Sequence, residues 1–229
     1  RHSAAHLMAQ AVKQLYPETQ VTIGPVIEDG FYYDFYRESP FVPEDLEKIE
    51  QRMKEISLKN LDIVRQELPR EKALEMFDEM DEPFNLEVIK DIESNDPISV
   101  YSQGEFTDLC RGPHVTNTNE IKSFKLLHTS AAYWRGDERN KVLQRIYGTA
   151  WNTDKELRVY LKRLEEAKKR DHRKLGKELD LFSVADDVGP GLILWHPKGS
   201  RIRCLMEDFW KEEHFASGYE MVHSPHVAK

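Results

Sequence analysis

The stretch Val26-Ile27-Glu28-Asp29-Gly30-Phe31-Tyr32-Tyr33-Asp34-Phe35 predicts a β-hairpin. Asp29-Gly30 is typical of a tight turn, and the aromatic run that follows has the composition of a strand. Alternation along that strand places Phe31 and Tyr33 on one face of a sheet and Tyr32 on the other. Apolar side chains recur at helical spacing before the hairpin, over residues 3–15, and after it, from Pro43 onward.

Further strand candidates follow, several of them separated by gaps of hairpin length. They are residues 61–68, 84–89, 98–101, 124–128 and 142–149, with Asn95-Asp96 joining the second to the third. A helix is predicted from Pro69. Because strands and helices do not alternate regularly, the sequence predicts an α+β fold with a largely antiparallel sheet and packed helices.

A long basic helix is predicted to link two domains. It runs from about Asp154 to Gly176, and the stretch from Lys155 to Lys177 contains ten cations and four anions. After it we predict a Gly189-Pro190-Gly191 turn, an apolar strand near 192–195, a helix over 200–215 and a strand over 219–222. We therefore divide the chain into a first domain at 1–152, a linker helix at 153–180 and a second domain at 181–229.

The composition excludes several classes of protein. Of 229 residues, 39% are hydrophobic and 10% aromatic, which is enough for a packed core and too many for a disordered chain. No apolar run nears the ~20 residues of a membrane span. A net charge of -8 argues against a protein that holds nucleic acid over its whole surface. Two cysteines, Cys110 and Cys204, do not make a disulfide framework, so we expect a reducing, cytoplasmic location.

Four reactive side chains form two pairs along the sequence. His2 and His6 are four residues apart on the first predicted helix and project from one face of it. Cys110 and His114 flank a Gly-Pro turn that can bring them together. Two interpretations remain open: a tetrahedral zinc site, or a metal-free site in which imidazoles handle the protons of a hydrolytic water. Asp108 has two candidate roles, to orient a histidine or to hold a substrate amine.

Two segments are candidates for RNA contact. Arg135 lies in the turn Trp134-Arg135-Gly136-Asp137, where an aromatic ring and a cation suit a nucleotide. Lys169 and Arg170 lie on the basic helix, where we expect contacts to phosphates and not to bases. The competing interpretations are an ordinary turn and a solvated helix face.

Four motifs resemble those of bacterial threonyl-tRNA synthetases in content, order and separation. They are Arg1-His2-Ser3-Ala4-Ala5-His6, the stretch from Gly24 to Asp34, Asp108-Leu109-Cys110-Arg111-Gly112-Pro113-His114, and Gln144-Arg145-Ile146-Tyr147-Gly148-Thr149-Ala150. The resemblance implies that residues 1–152 are an editing domain of the type shared with alanyl-tRNA synthetase. It also implies that residues from 181 begin a class II catalytic domain, with motif 1, used at a dimer interface, ending near Pro225.

The resemblance implies a function as well. The complete enzyme would be a homodimer that attaches threonine to its tRNA, using ATP with Mg²⁺ and one Zn²⁺ in a catalytic region outside this sequence. The editing domain would hydrolyse seryl-tRNA made in error and require no cofactor. Serine lacks one methyl group of threonine, and such a difference supports only ~1–3 kcal/mol of discrimination, so a second site is needed. We expect that this chain alone does not aminoacylate.

Residue by residue, the resemblance carries over as follows. His2, His6, Cys110 and His114 match the catalytic core of the editing site. Asp108, which we also count as catalytic, matches an acidic residue near the substrate amine. Gly24 and Tyr33 match positions that bind the substrate. Asn85 stands, in the predicted strand at 84–89, where the family often carries a lysine, so a cation that would assist the reacting ester is replaced here by an amide.

Overall fold

The predicted α+β fold is confirmed by a computed structural model of the chain, which describes residues 1–93, 96–185, 187–189 and 191–224. The chain divides into two compact units, Arg1–Tyr160 and Leu161–Lys229. The helices that begin in the first unit are α1 (His2–Leu15), α2 (Pro43–Leu58), α3 (Arg70–Glu79), α4 (Pro83–Asp91) and α5 (Asp154–Lys169). Its strands are β1 (Gln20–Val21), β2 (Val26–Ile27), β3 (Gly30–Tyr36), β4 (Ile63–Leu68), β5 (Ile98–Gln103), β6 (Phe106–Leu109), β7 (Ser123–Tyr133) and β8 (Val142–Trp151).

The strands of the first unit form two antiparallel sheets. The larger sheet has the order β1-β3-β8-β7, with β2 paired to β3 through the predicted hairpin. The smaller sheet has the order β4-β5-β6. Strand β6 was not predicted, because its four residues continue the hairpin that starts on β5 and carry little apolar pattern of their own.

The main core lies between the larger sheet and helices α1 and α2. Phe31, Tyr33 and Phe35 are fully buried on one face of β3, as the alternation predicts. The apolar face of α1, including Leu7 and Met8, packs into the same cluster. Burial of this face fixes the helix that carries the two N-terminal histidines, because each large apolar side chain stabilises its position by about 1.5–3 kcal/mol.

Residues 84–89 form part of helix α4, so the strand predicted there is wrong. Pro83 occupies the first turn of the helix, a position that suits its fixed φ. Phe84 and Val88, four residues apart, pack in one cluster, and Leu86 packs in another. A short apolar run is compatible with the two-residue period of a strand and with the 3.6-residue period of a helix. Only the tertiary packing on its two sides decides which of the two forms. Asn95, predicted to join two strands here, lies outside the described residues.

The single linker helix predicted at 153–180 is also wrong, because the segment contains two helices. α5 ends at Lys169, and a second helix, α6, spans His172–Glu178. The side chain of Asp171 accepts a hydrogen bond from the backbone N–H of Arg173 and caps α6. An aspartate at this position favours a new helix start over continuation of the old one.

The rest of the second unit is a small hairpin and one long helix. Strand β9 (Phe182–Val184) pairs with β10 (Ile193–Trp195), and helix α7 spans Pro197–Ala216. The strand predicted at 219–222 is not formed. Instead the N–H groups of Gly218 and Tyr219 bond to Phe215 and His214 and close the end of α7. Pro190 of the predicted turn and Pro225 of the predicted motif 1 lie outside the described residues.

Within the described part of the chain, no helix combines the length and the apolar character needed to cross a membrane.

Candidate active site

The two pairs of reactive side chains meet in the first unit. His2 and His6 project from the first two turns of α1, and Cys110 and His114 lie on the loop that follows β6. The centroid of the His114 ring is 4.2 Å from that of His2 and 4.4 Å from that of His6. His6 is only 4% exposed, whereas His2, at the end of the helix, is half-buried. One thiol and three imidazoles therefore share one recess.

Cys110 is held as a neutral thiol at the centre of this group. Its Sγ lies 3.3 Å from Nε2 of His2 and 3.1 Å from Nε2 of His114, and it accepts a hydrogen bond from the N–H of Gly112. Burial raises the pKa of Cys110 to about 11, and the nearby Asp108 adds to that rise. Since the thiolate is the reactive form of cysteine, this side chain is a poor nucleophile near neutral pH.

We expect Cys110 to resist alkylation. At pH 8 iodoacetamide should modify it at least about 100-fold more slowly than the exposed Cys204, because a thiol with a pKa near 11 is only about 0.1% ionised. Mass spectrometry of the two cysteine peptides over time measures both rates in one sample. In urea the rates should converge, and equal rates in the folded protein would contradict the assignment of a neutral thiol.

Ser3 orients His114, a role that the sequence did not reveal. The N–H of Val115 donates to Oγ of Ser3 at 3.1 Å, and the same Oγ lies 3.1 Å from Nδ1 of His114. The serine hydroxyl thus has its own hydrogen to give to Nδ1, which leaves the ring proton of His114 on Nε2, facing Cys110. Ser3 lies inside the first motif, Arg1-His2-Ser3-Ala4-Ala5-His6, and is visible in the sequence. Its role is not, because its partner His114 lies 111 residues further along the chain.

A buried carboxyl group orients His6. Oδ2 of Asp108 lies 3.3 Å from Nδ1 of His6 and accepts the hydroxyl of Tyr33 at 2.5 Å. Asn85 Nδ2 approaches the other oxygen at 3.4 Å, and the N–H of Leu109 donates to it at 2.8 Å. With the carboxylate accepting from Nδ1–H, the lone pair of His6 lies on Nε2.

The electrostatics keep the imidazoles neutral. Burial lowers the pKa of His6 well below its usual value, and the neighbouring His114 and His2 add to the effect. Burial also lowers the pKa of His114, to about 4. Burial lowers the pKa of His2 as well, although the hydrogen bond between His2 and the Pro113 carbonyl acts in the opposite direction. Burial raises the pKa of Asp108 to about 7, against the hydrogen bond from Tyr33. Above pH 7 the site therefore holds an ionised carboxylate behind neutral rings.

The predicted substrate-binding residues have different surroundings. Tyr33 is fully buried and supports Asp108 from behind. Gly24 lies so close to the Tyr33 ring that an added Cβ would overlap it. Asn85 lines a cavity next to Cys110. The Tyr101 ring, which the sequence did not single out, packs edge-on against His114 with centroids 4.4 Å apart.

The predicted RNA-binding residues are not among the side chains that form this recess. Arg135 has a left-handed backbone at φ 58° and pairs with Asp91. The adjacent Trp134 is buried against Phe84, so its ring is not offered to a nucleotide. In the second unit, Lys169 is the last residue of α5 and pairs with glutamates of the preceding turn, and Arg170 follows the helix end.

The same four side chains also satisfy the donor requirements of zinc. One ligand atom from each of His2, His6, Cys110 and His114 lies within 4.8 Å of all the others. In a tetrahedral site with Zn–N near 2.0 Å and Zn–S near 2.3 Å, neighbouring donors lie roughly 3.3–3.8 Å apart. The sulfur–nitrogen distances at Cys110 are close to this range, and Asp108 and Ser3 would supply the outer hydrogen bonds.

Sequence comparison first relates part of this unit to a known domain family. Residues 98–147, which include the loop of Cys110 and the strands around it, match the model of the threonyl and alanyl tRNA synthetase second additional domain. Along its whole length the chain is then similar to threonine–tRNA ligases. It is 57% identical over 228 residues to that of Magnetococcus marinus, 58% over 228 residues to that of Nitrosococcus oceani and 54% over 231 residues to that of Borrelia turicatae.

These alignments cover 100% of this chain and 35%, 35% and 39% of the respective relatives. The chain thus spans a little over a third of the length of the curated relatives it matches. The resemblance to bacterial threonyl-tRNA synthetases is thereby confirmed over every part of the sequence.

Proposed function

We propose that the first unit hydrolyses the ester bond of seryl-tRNA formed in error on the tRNA for threonine. The observation that carries the proposal is the placement of His6, whose Nδ1 faces Asp108 while its ring packs against that of His114. A carboxylate behind a neutral imidazole orients the second nitrogen as a proton acceptor. The matched domain family and the threonine–tRNA ligase relatives supply the substrate class.

Water is the proposed nucleophile. Cys110 is a neutral thiol with its pKa raised to about 11, so it does not attack the ester itself. His6 accepts the proton from water through Nε2 as the water adds to the ester carbon. The tetrahedral intermediate then breaks its bond to the ribose oxygen, and His6 returns the proton to that oxygen, which releases serine and leaves the RNA with a free hydroxyl. Removal of that proton by a positioned base contributes typically 10²- to 10⁴-fold to the rate.

The other side chains bind and orient the ester. Nε2–H of His114, fixed by Ser3, faces Sγ of Cys110 at 3.1 Å, and on substrate binding it would turn to donate to the oxygen that becomes negative. Cys110 gives its thiol hydrogen to His2 and holds that ring in place. Asp108 is saturated by donors from the protein, which favours its role as a support for His6 over direct capture of the substrate amine.

Seryl-tRNA hydrolysis by the purified chain is the direct test. The tRNA for threonine is charged with labelled serine, and loss of the ester is followed with and without protein. We expect hydrolysis well above the spontaneous rate. If the protein binds the tRNA but the ester is lost only at the rate seen in buffer, the unit is a non-catalytic RNA-binding module and not an enzyme.

For the complete protein we propose the activity named in its relatives, ligation of threonine to tRNA. ATP with Mg²⁺ and one Zn²⁺ would serve that reaction in the part of the relatives that this chain does not cover. We further propose a homodimer in the cytoplasm, where the two free cysteines would remain reduced. The functional division would follow residues 1–152 for editing, 153–180 for the link and 181–229 for the start of a class II catalytic domain.

Charge reversal at Lys169 and Arg170 is expected to weaken tRNA binding. For every duplex phosphate that the variant no longer neutralises, the slope of log affinity against log salt concentration should fall by about 0.9. Filter binding over a series of salt concentrations measures this slope. The matched control is the double reversal of Lys48 and Arg52 on α2, two cations that also pair with nearby carboxylates. An unchanged slope would indicate that the basic segment is a solvent-exposed connector that does not contact tRNA phosphates.

A zinc site is the second candidate function, favoured by the four donors within 4.8 Å. Its test is metal analysis of protein purified without chelators. Stoichiometric zinc that is lost in the Cys110→Ala variant supports a metal site. Full seryl-tRNA hydrolysis in protein free of metal, before and after treatment with a chelator, supports the water mechanism proposed above.

A further inference from the structure

The hairpin that joins β7 to β8 reaches across to helix α4. Its tip, residues 134–141, packs the buried ring of Trp134 edge-on against that of Phe84, with centroids 5.0 Å apart. The indole N–H of Trp134 donates to Oε2 of Glu87 at 2.8 Å. Within the tip, the amide of Asn140 donates to the carbonyl of Trp134 at 3.0 Å. The hairpin tip is thus joined to α4 by an apolar contact and by a hydrogen bond.

Arg135 adds to this contact from a backbone conformation that few side chains adopt. Its φ is 58°, in the left-handed region, which is unfavourable for a residue other than glycine. The guanidinium pairs with Asp91 and lies 3.8 Å from the carboxylate of Glu87. Such a conformation persists only where the surrounding contacts hold it. The left-handed turn directs the Arg135 side chain back toward α4.

The residues of α4 that meet the hairpin tip form one face of the helix, and the neighbouring face reaches the active site. Phe84, Glu87 and Asp91 are three and four residues apart, so they project from the same side. Asn85 projects about 100° from Phe84 around the helix axis. It is 1% exposed, and its Nδ2 lies 3.4 Å from Oδ1 of Asp108. A rotation of α4 away from the tip would therefore move Asn85 relative to Asp108.

We propose that Trp134 is a positioning residue for the hydrolysis of seryl-tRNA and acts through α4. The inference rests on the proposed function, in which Asp108 orients His6 as the base. The hairpin tip fixes the rotation of α4 and so the place of Asn85. Asn85 holds one oxygen of Asp108, while the other oxygen faces Nδ1 of His6. Such support affects the rate because a displacement of about 1 Å at reacting groups can cost about 100-fold.

Helix α4 has other anchors, which should keep it folded when the contact with the hairpin tip is weakened. Glu82, at its N-terminus, accepts the N–H of Val21 at 2.9 Å and pairs with Lys13 at 2.7 Å. Leu86 and Ile89 pack in a separate apolar cluster with side chains of α3. Weakening the contact with the tip should therefore change the orientation of α4 and not its formation.

The test is a double-mutant cycle on kcat for seryl-tRNA. Trp134→Phe keeps an aromatic ring against Phe84 but has no N–H to give to Glu87. It should lower kcat at least about fivefold, within the range of couplings between residues in contact. Asn85→Ala should lower kcat as well. In the Asn85→Ala background, Trp134→Phe should cost less than about twofold, because effects along one chain of contacts are not additive.

Three further variants separate positioning from packing. Glu87→Gln keeps an oxygen that accepts the indole N–H and should retain most of the wild-type kcat. Glu87→Ala, at an exposed position, should repeat the loss with the core unchanged, and it replaces Trp134→Phe should that variant unfold. Trp151→Phe is the matched control. Its indole N–H donates to Oγ1 of Thr149 on β8 at 2.7 Å, so this variant loses a similar hydrogen bond and should keep the wild-type kcat.

Nuclear magnetic resonance of the ¹⁵N-labelled chain follows Asn85 independently of catalysis. Its side-chain amide signals, identified by their loss in Asn85→Ala, should shift in Trp134→Phe and stay in place in Trp151→Phe. Shifted signals without hydrolysis by the wild-type chain would count against the proposed function and not against the coupling of Trp134 to Asn85. Unshifted signals, or equal losses of kcat with and without Asn85, would overturn the inference while the proposed hydrolysis stands. Lower thermal stability with unchanged kcat would also overturn it and assign Trp134 to the core.

Discussion

Replacing His6 with alanine is expected to slow seryl-tRNA hydrolysis by about 100- to 10,000-fold, the usual contribution of a general base. Nδ1 of His6 faces Asp108 at 3.3 Å, so Nε2 is the nitrogen that accepts a proton. Its neutral form predominates at cellular pH, because burial lowers the pKa of His6. No other described imidazole in the recess has a carboxylate partner.

The fold should survive this substitution. Leu7, Met8, Ala11 and Val12 remain fully buried on α1 and dock the helix against the sheet. His6→Gln is the companion variant, since its amide can still donate to Asp108 but cannot accept a proton from water. His128→Ala, an exposed histidine on β7, is the control and should retain full rate. A rate for His6→Ala within tenfold of wild type would assign His6 to packing, and stability restored by zinc would favour the metal site.

Seryl-tRNA is expected to be hydrolysed about 10- to 200-fold faster than threonyl-tRNA on the same RNA. The two esters differ by one methyl group, and a site shaped for the smaller side chain discriminates by ~1–3 kcal/mol. The packing around the recess is tight, since Gly24 leaves no room for a Cβ against Tyr33 and Gly112 leaves none against Tyr101.

The measurement compares kcat/KM for the two esters on one preparation of tRNA. The spontaneous hydrolysis of each ester in buffer is subtracted, because the two differ in intrinsic lability. His6→Gln should depress both rates together, which separates catalysis from discrimination. Equal kcat/KM values would show that this site does not discriminate serine from threonine, even if it hydrolyses both esters.

Local chemistry in the sequence determined much of the fold. The Asp29-Gly30 turn and the alternating aromatic strand after it were predicted because both depend on neighbouring residues only. The i, i+4 spacing of His2 and His6 put them on one face of α1 for the same reason. The Asp108–His114 segment was recognisable from its residues alone, and so was its resemblance to a family.

Tertiary structure decided what local patterns left ambiguous. Residues 84–89 have apolar side chains that fit a strand or a helix, and α4 forms because Phe84 and Leu86 find separate clusters on its two sides. The basic segment breaks where Asp171 caps a new helix, although its charge pattern runs on without change. Propensity is a weak preference, and packing and capping each outweigh it by about 1 kcal/mol or more.

The candidate active site, like the fold, was determined partly by the sequence and partly by the tertiary structure. Sequence named the four reactive side chains and Asp108 and favoured His6 for its depth in the domain, but it could not decide which histidine is the general base. Only the fold places Asp108 behind His6 and Ser3 behind His114, through contacts that span 102 and 111 residues of chain. Protons on imidazole rings follow the hydrogen-bond partners of each nitrogen, and those partners are brought together by burial of α1 on the sheet.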